Sequence, residues 1–177
     1  MGDKNPKAVN PRLEMLKLKR DLLFRKNTGR NILKEYLLEL NKLSLKEVSA
    51  ENLLSVEETD MLKEKSRLKN HQRDYPLIKK TFLFNEKDKL KEYVDKLYKL
   101  YPHEIYLLTG YSEYCGCLKM ESLMDFNIYF NFNDERDGIM SILSADLNNS
   151  LLLDYYEEYN EYYIELEFRG EEWSKIE

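Results

Sequence analysis

The sequence predicts an α+β protein: a helical N-terminal region over residues 1–75, then an α+β domain over 76–177 built on an antiparallel sheet with two helices. Three observations lead there. Apolar residues recur at a spacing of 3.6 in the first part of the chain and again around residue 95, whereas beyond residue 150 they alternate strictly. With 177 residues, 42% of them hydrophobic and 34% charged, the chain has the composition and length of one globular unit able to enclose a core. The bases gather in the helical part and the tyrosines in the alternating part.

Met1–Lys7 is polar and reads as a loose terminus. Asn10–Pro11 is a helix start, with Asn10 as cap and Pro11 in the first turn, and Asn27–Thr28–Gly29 is expected to break that helix. Thr28 then caps a second helix whose stripe is Ile32, Leu33, Tyr36, Leu37, Leu40 and Leu43. Ser55–Val56–Glu57–Glu58 is a capping box for a third helix ending near Asn70. Its apolar side (Met61, Leu62, Leu68) is thin, which predicts a largely exposed helix. The stretch Asn70–Pro76 is the expected boundary, because the residue before a proline is pushed out of helix.

From there, 80–84 reads as a strand. A helix capped by Asn85 follows, with Leu90, Tyr93, Val94, Leu97, Tyr98 and Tyr101 on one side, and Tyr101–Pro102 ends it. Strands are expected at 104–110 and 114–121, joined around Tyr111–Ser112–Glu113, and again at 123–132. A short helix capped by Asn133 or Asp134 is expected to carry Ile139, Met140, Ile142, Leu143 and Leu147. Strands at 150–158 and 161–169 close the chain as a hairpin turning at Tyr159–Asn160. Written this way, 80–121 and 123–169 share the order β-α-β-β, the pattern of a duplicated unit.

Charge divides along the same line. Residues 1–100 hold 24 Lys+Arg against 16 Asp+Glu, a balance of +8, while residues 101–177 hold 4 against 17, a balance of −13. Helix propensity explains the lysines and strand propensity the tyrosines. Neither explains why the strand region keeps its acids and loses nearly all its bases, and such segregation sets up a field a partner can sense. In 161–169, Tyr162, Ile164, Leu166 and Phe168 fall on one face and Tyr163, Glu165, Glu167 and Arg169 on the other. In the preceding strand Leu151, Leu153 and Tyr155 oppose Asp154 and Tyr156. The wet face is therefore expected to show Asp154, Tyr156, Glu158, Tyr163, Glu165 and Glu167 together. Tyr111, Glu113 and Tyr114, at the tip of the earlier hairpin, are expected to add contacts.

No catalytic residues are assigned. Cys115–Gly116–Cys117 would put two sulfurs on one strand face, but only His71 and His103 accompany them, too few and too scattered for a zinc site or an activated thiol. The bland reading of the pair, small buried residues around a glycine that permits close approach, is preferred. No phosphate-loop, dinucleotide, zincin or nucleophile-elbow motif occurs, so neither metal nor cofactor is expected. No uncharged apolar run exceeds a few residues, which excludes a bilayer span. Two cysteines and no apolar stretch after Met1 point to a reduced cytoplasm.

Two binding readings remain. Arg12, Lys17, Lys19, Arg20, Arg25, Lys26 and Arg30 could serve a nucleic-acid-binding regulator, although Glu14 and Asp21 among them and the acidic overall balance weigh against it. The acid-and-phenol face suits a basic protein instead, since tyrosine supplies rigid contact area and clustered carboxylates speed encounter. Gly110–Cys117 (GYSEYCGC), Leu152–Glu158 (LLDYYEE) and Tyr162–Glu167 (YYIELE) resemble a family of small immunity proteins encoded beside large cell-surface toxins of Gram-positive bacteria. The resemblance covers about residues 75–173. It implies a partner that is the C-terminal domain of a cognate toxin, often a basic nuclease, neutralised by direct stoichiometric binding inside the cell. It assigns no residues.

Overall fold

A computed structural model describes residues 11–72 and 75–176, the last three before the gap by their backbone alone. Helix α1 runs unbroken from Pro11 to Leu43. The break expected at 27–29 does not occur, and Thr28 caps nothing. Gly29 is instead a point of close approach: a Cβ there would lie 2.1 Å from the Tyr114 carbonyl oxygen. A mid-helix glycine costs about 1 kcal/mol relative to alanine, and here it lets another segment pack directly on bare backbone. Asn10, Met1–Lys7 and part of the expected boundary at 70–76 lie outside the described residues, as does the side chain of His71.

Helix α2 (Val56–Gln72) opens with the capping box read from the sequence. The Ser55 amide donates to Glu58 Oε2 at 2.8 Å, and the Glu58 amide donates to Ser55 Oγ at 3.2 Å. Its buried positions are Val56, Thr59, Leu62 and Ser66; Met61 and Leu68 are exposed, so of the expected apolar side only Leu62 faces inward. Strand β1 (Ile78–Leu83) and helix α3 (Lys87–Leu100) follow. Leu90, Val94 and Leu97 are buried and the helix ends before Pro102, as expected. Asn85 does not cap it: Glu86 holds that position, and its carboxylate takes the Leu83 amide at 3.0 Å.

Strand β2 (Ile105–Leu108) pairs with β3 (Leu118–Met120), but the strand expected from residue 114 is realised only in its second half. Ser112–Cys115 is a helical turn, α4. Tertiary contacts from α1 hold it so. Tyr36 Oη donates to the Gly116 carbonyl and shares a hydrogen bond with Ser112 Oγ, both at 3.0 Å, while Ser112 Oγ accepts the Thr109 amide. Gly116, at φ 88°, reverses the chain against the Leu54 carbonyl.

The strand expected at 123–132 is irregular, with a 3-10 turn at Leu123–Asp125. Its alternation is real in burial, since Phe126, Ile128 and Phe130 are enclosed. Its backbone meets the end of α1 rather than a strand: the Asn127 amide donates to the Leu43 carbonyl and the Leu45 amide to the Asp125 carbonyl, each at 2.8 Å. The helix expected after Asn133 or Asp134 is strand β4 (Ile139–Ser144). Met140 and Ile142 face one side and Leu143 the other, all buried. A strand covered on both faces loses its alternation and cannot be told from a helix by periodicity. Without that helix the second β-α-β-β unit does not exist, and 80–121 and 123–169 have different element orders.

Strands β5 (Asn149–Glu158) and β6 (Glu161–Gly170) form the expected hairpin. The antiparallel sheet has the order β1-β6-β5-β4-β2-β3. Its inner face shares one core with α3, the 123–132 segment and Tyr36, Leu40 and Leu43 of α1, so residues from both sides of the 70–76 stretch pack together. On the outer face α2 packs through Leu62 against Leu108, Cys117, Leu143 and Leu147. No helix among the described residues is long and apolar enough to cross a membrane.

Candidate partner-binding face

The outer surface of β1, β6 and β5 is built by period-two alternation. Ile164, Leu166 and Phe168 are fully buried, and so are Leu151, Leu153 and Tyr155 across the hairpin. The intervening Glu165, Glu167, Tyr163, Asp154 and Tyr156 are turned outward and half-buried. Register brings them into direct opposition: Asp154 faces Glu165, Tyr156 faces Tyr163, and Glu158 faces Glu161 at the hairpin end. Like charges directly opposed weaken strand pairing by a few tenths of a kcal/mol or more.

Counter-charge comes from the neighbouring edge strand. Lys79 of β1 sits opposite Glu167 in the ladder, reaching Glu165 at 3.1 Å and forming an ion pair with Glu167 as well. Asp154 is left on the far side of Glu165. Burial, and then the fields of Glu165 and Glu167, push its pKa up, with Lys79 opposing. The two phenols stack with ring centroids 5.8 Å apart and planes at 24°, and Tyr163 Oη donates to Glu161 Oε2 at 2.7 Å. Six of the residues read from the sequence as a contact surface, Asp154, Tyr156, Glu158, Tyr163, Glu165 and Glu167, therefore share one side of one hairpin.

The other three do not join them. Tyr111, Glu113 and Tyr114 belong to the α4 segment against α1, not to a hairpin tip. Tyr111 is only 4% exposed and donates its hydroxyl to Glu35 at 2.7 Å. Glu113 is exposed, and its carbonyl accepts from Arg25. Tyr114 is half-buried with its carbonyl on Gly29. The cysteines separate too. Cys115 Sγ donates to the Gly29 carbonyl and burial pushes its pKa up to about 11, whereas Cys117 is enclosed beneath α2, its amide donating to Thr59 Oγ1. Neither is a poised thiolate, because the nucleophilic form of cysteine is the anion.

One exposed aromatic residue of the hairpin reads from the sequence only as a turn position. Tyr159 is 89% exposed at the hairpin turn, in the left-handed region at φ 52°, beside Asn160 at φ 65°. A large side chain pays steric strain there; its signal was a tyrosine where turn chemistry favours asparagine or glycine. Of the basic positions on α1, Arg25 is bound to Asp21 and to both oxygens of Asp60, and Lys26 is bound to Glu57. These two are committed to fastening α1 onto α2. Scans against protein-family models, curated proteins and solved structures return no match for this chain.

Proposed function

We propose that this chain is an immunity protein that binds the C-terminal domain of a cognate toxin, a basic nuclease, in the cytoplasm and neutralises it by stoichiometric occlusion. The observation that carries the reading is the outward face of β5 and β6, where Asp154, Glu165 and Glu167 lie with the stacked Tyr156 and Tyr163 and meet one lysine, Lys79, among their described ion pairs. Aromatic anchors ringed by same-sign charge give contact area and electrostatic steering at once. Carboxylates held in a plane can occupy a groove that otherwise takes phosphates. The hairpin needs no chemistry of its own for this; it needs only to be rigid and acidic.

The test is co-expression with the C-terminal domain of a large surface protein encoded beside it. A 1:1 complex on gel filtration and loss of the domain's nuclease activity are expected. Glu165→Lys with Glu167→Lys is expected to slow association at least about tenfold at low salt and to flatten its salt dependence. No complex at low salt, or a complex in which nuclease activity persists, overturns the reading.

A further inference from the structure

Beside the acidic face the same sheet surface changes sign. Between α2 and the outer face of the sheet runs an open groove of about 640 Å³, a volume in the range of ligand and peptide sites. Its α2 wall carries Lys63 and Arg67, one helical turn apart, and Arg169 of β6 lines it from the sheet. The floor is aliphatic: Ile139 is 40% exposed, while Leu108 and Leu143, packed with Leu62 of α2, are buried and show only their edges. Arg67 reaches Glu64 on its own helix at 2.7 Å. Lys63 and Arg169 have no ion-pair partner among the described residues, so their charge is free to act on whatever enters.

We propose that this groove binds a short, extended acidic peptide segment of a partner protein. One aliphatic or aromatic side chain of that segment rests chiefly on Ile139, and its flanking carboxylates are taken by Lys63 and Arg169, with Arg67 exchanging its bond to Glu64 for one to the segment. Charge complementarity selects the occupant. Two uncommitted cations, Lys63 and Arg169, over an apolar floor disfavour a basic strand, and the bidentate geometry of arginine suits carboxylates, as Arg67 already shows in its two bonds to Glu64. A nucleic acid fits less well. It carries a charge on every nucleotide, yet Glu113 is among the residues lining the groove, and Glu167 lines the hollow that shares Ser141, Leu143 and Arg169 with it. The floor also offers no aromatic ring for a base to stack on. A peptide can confine its negative charge to the few residues the groove covers. The inference stands apart from the toxin reading, because it concerns different residues and the opposite sign of charge.

The experiment uses the full chain and a fluorescein-labelled hexapeptide, Asp-Glu-Leu-Tyr-Glu-Asp, read by anisotropy at low salt. Binding is expected, with none by a control peptide bearing lysines in place of the acids. Affinity is expected to fall at least about tenfold in Lys63→Glu/Arg67→Glu and separately in Arg169→Glu. Each variant is checked for an unchanged melting temperature, with Lys63→Gln/Arg67→Gln substituting should the reversal unfold the chain. Glu165→Lys/Glu167→Lys, which slows association in the toxin reading, is expected to leave peptide affinity unchanged or stronger. Absence of binding, binding indifferent to both groove variants, or equal competition by an oligothymidylate of matched charge each overturns the proposal, the last by making the occupant a nucleic acid.

Discussion

Two buried charged groups show how single residues set the protein's response to pH. Glu39 on α1 is 7% exposed; it accepts from Thr109 Oγ1 at 2.8 Å and from the Arg136 amide. Burial above all, helped by the nearby Glu135, raises its pKa from 4.5 to about 7. Between those values the folded chain keeps a proton that the unfolded chain has released, so the stabilisation is complete below about pH 4.5 and is lost as pH rises through 7. Glu39→Gln is expected to abolish this decline and to raise the urea midpoint at pH 8 more than at pH 5. Equal midpoint shifts at both values would sink it. Lys87 has the opposite sense. Its ammonium lies 3.6 and 3.8 Å from the ring centroids of Phe84 and Phe130 with no hydrogen-bond partner, and burial lowers its pKa to about 8. Lys87→Met is expected to raise the melting temperature at pH 7 by removing a buried unpaired charge. A fall would mean that the ring contacts outweigh the desolvation.

At the scale of elements, α1 and the terminal hairpin are the informative pieces. Gly29→Ala adds helix propensity worth up to about 1 kcal/mol, yet its methyl would meet the Tyr114 carbonyl. Overpacking of this kind costs about 1–3 kcal/mol, so a net loss is expected in denaturant unfolding, and a gain would show that α4 yields easily. The hairpin turn makes the reverse case. Tyr159→Asn with Asn160→Gly restores the residue pair that a left-handed two-residue turn prefers and is expected to stabilise the chain by about 1 kcal/mol. In the proposed function the same change weakens partner binding, since it removes the most exposed aromatic ring of the hairpin; calorimetry of the free and bound protein separates the two effects.

For the molecule as a whole, the division of charge along the chain is kept in space only on the terminal hairpin; elsewhere Lys42 and Lys46 of the basic part pair with Asp134, Glu121 and Asp125 of the acidic part. The acidic residues that alternate along β5 and β6 stand on one surface with Lys79 as their local counter-charge. Lys79→Ala is expected to speed association with a basic partner at low salt, the difference vanishing near 1 M salt, where the screening length is about 3 Å; stopped-flow rates across a salt series test this. Part of the early basic surface, in contrast, is spent at the contact of α1 with α2, with Arg25 and Lys26 neutralised by Asp60 and Glu57. The basic walls of the α2 groove come from Lys63, Arg67 and Arg169, which lie more than a hundred residues apart at the extremes. No local pattern could have joined them.

By itself the sequence determined what depends on neighbours a few residues away. The alternation from Leu151 to Tyr155 and from Tyr162 to Phe168 defined the hairpin, its turn and its two faces, because a period of two puts successive side chains on opposite sides whatever lies beyond. Ser55 and Glu58 marked the start of α2, and Leu90, Val94 and Leu97 the buried side of α3, by the same local logic. Only the tertiary structure decided which segments found partners. Ile139–Ser144 became a strand because β2 and β5 flank it and α2 packs on Leu143 from the outer side, and an apolar run with isoleucine and leucine on both faces carries no period to read. Residues 112–115 became helical because Tyr36 and Gly29, some 80 positions earlier, supply the hydrogen bonds and the bare backbone that hold them. Tyr111 was buried and Tyr159 exposed for that reason too: burial is a property of the contacts a side chain finds, and those contacts are set by chain segments far away in the sequence.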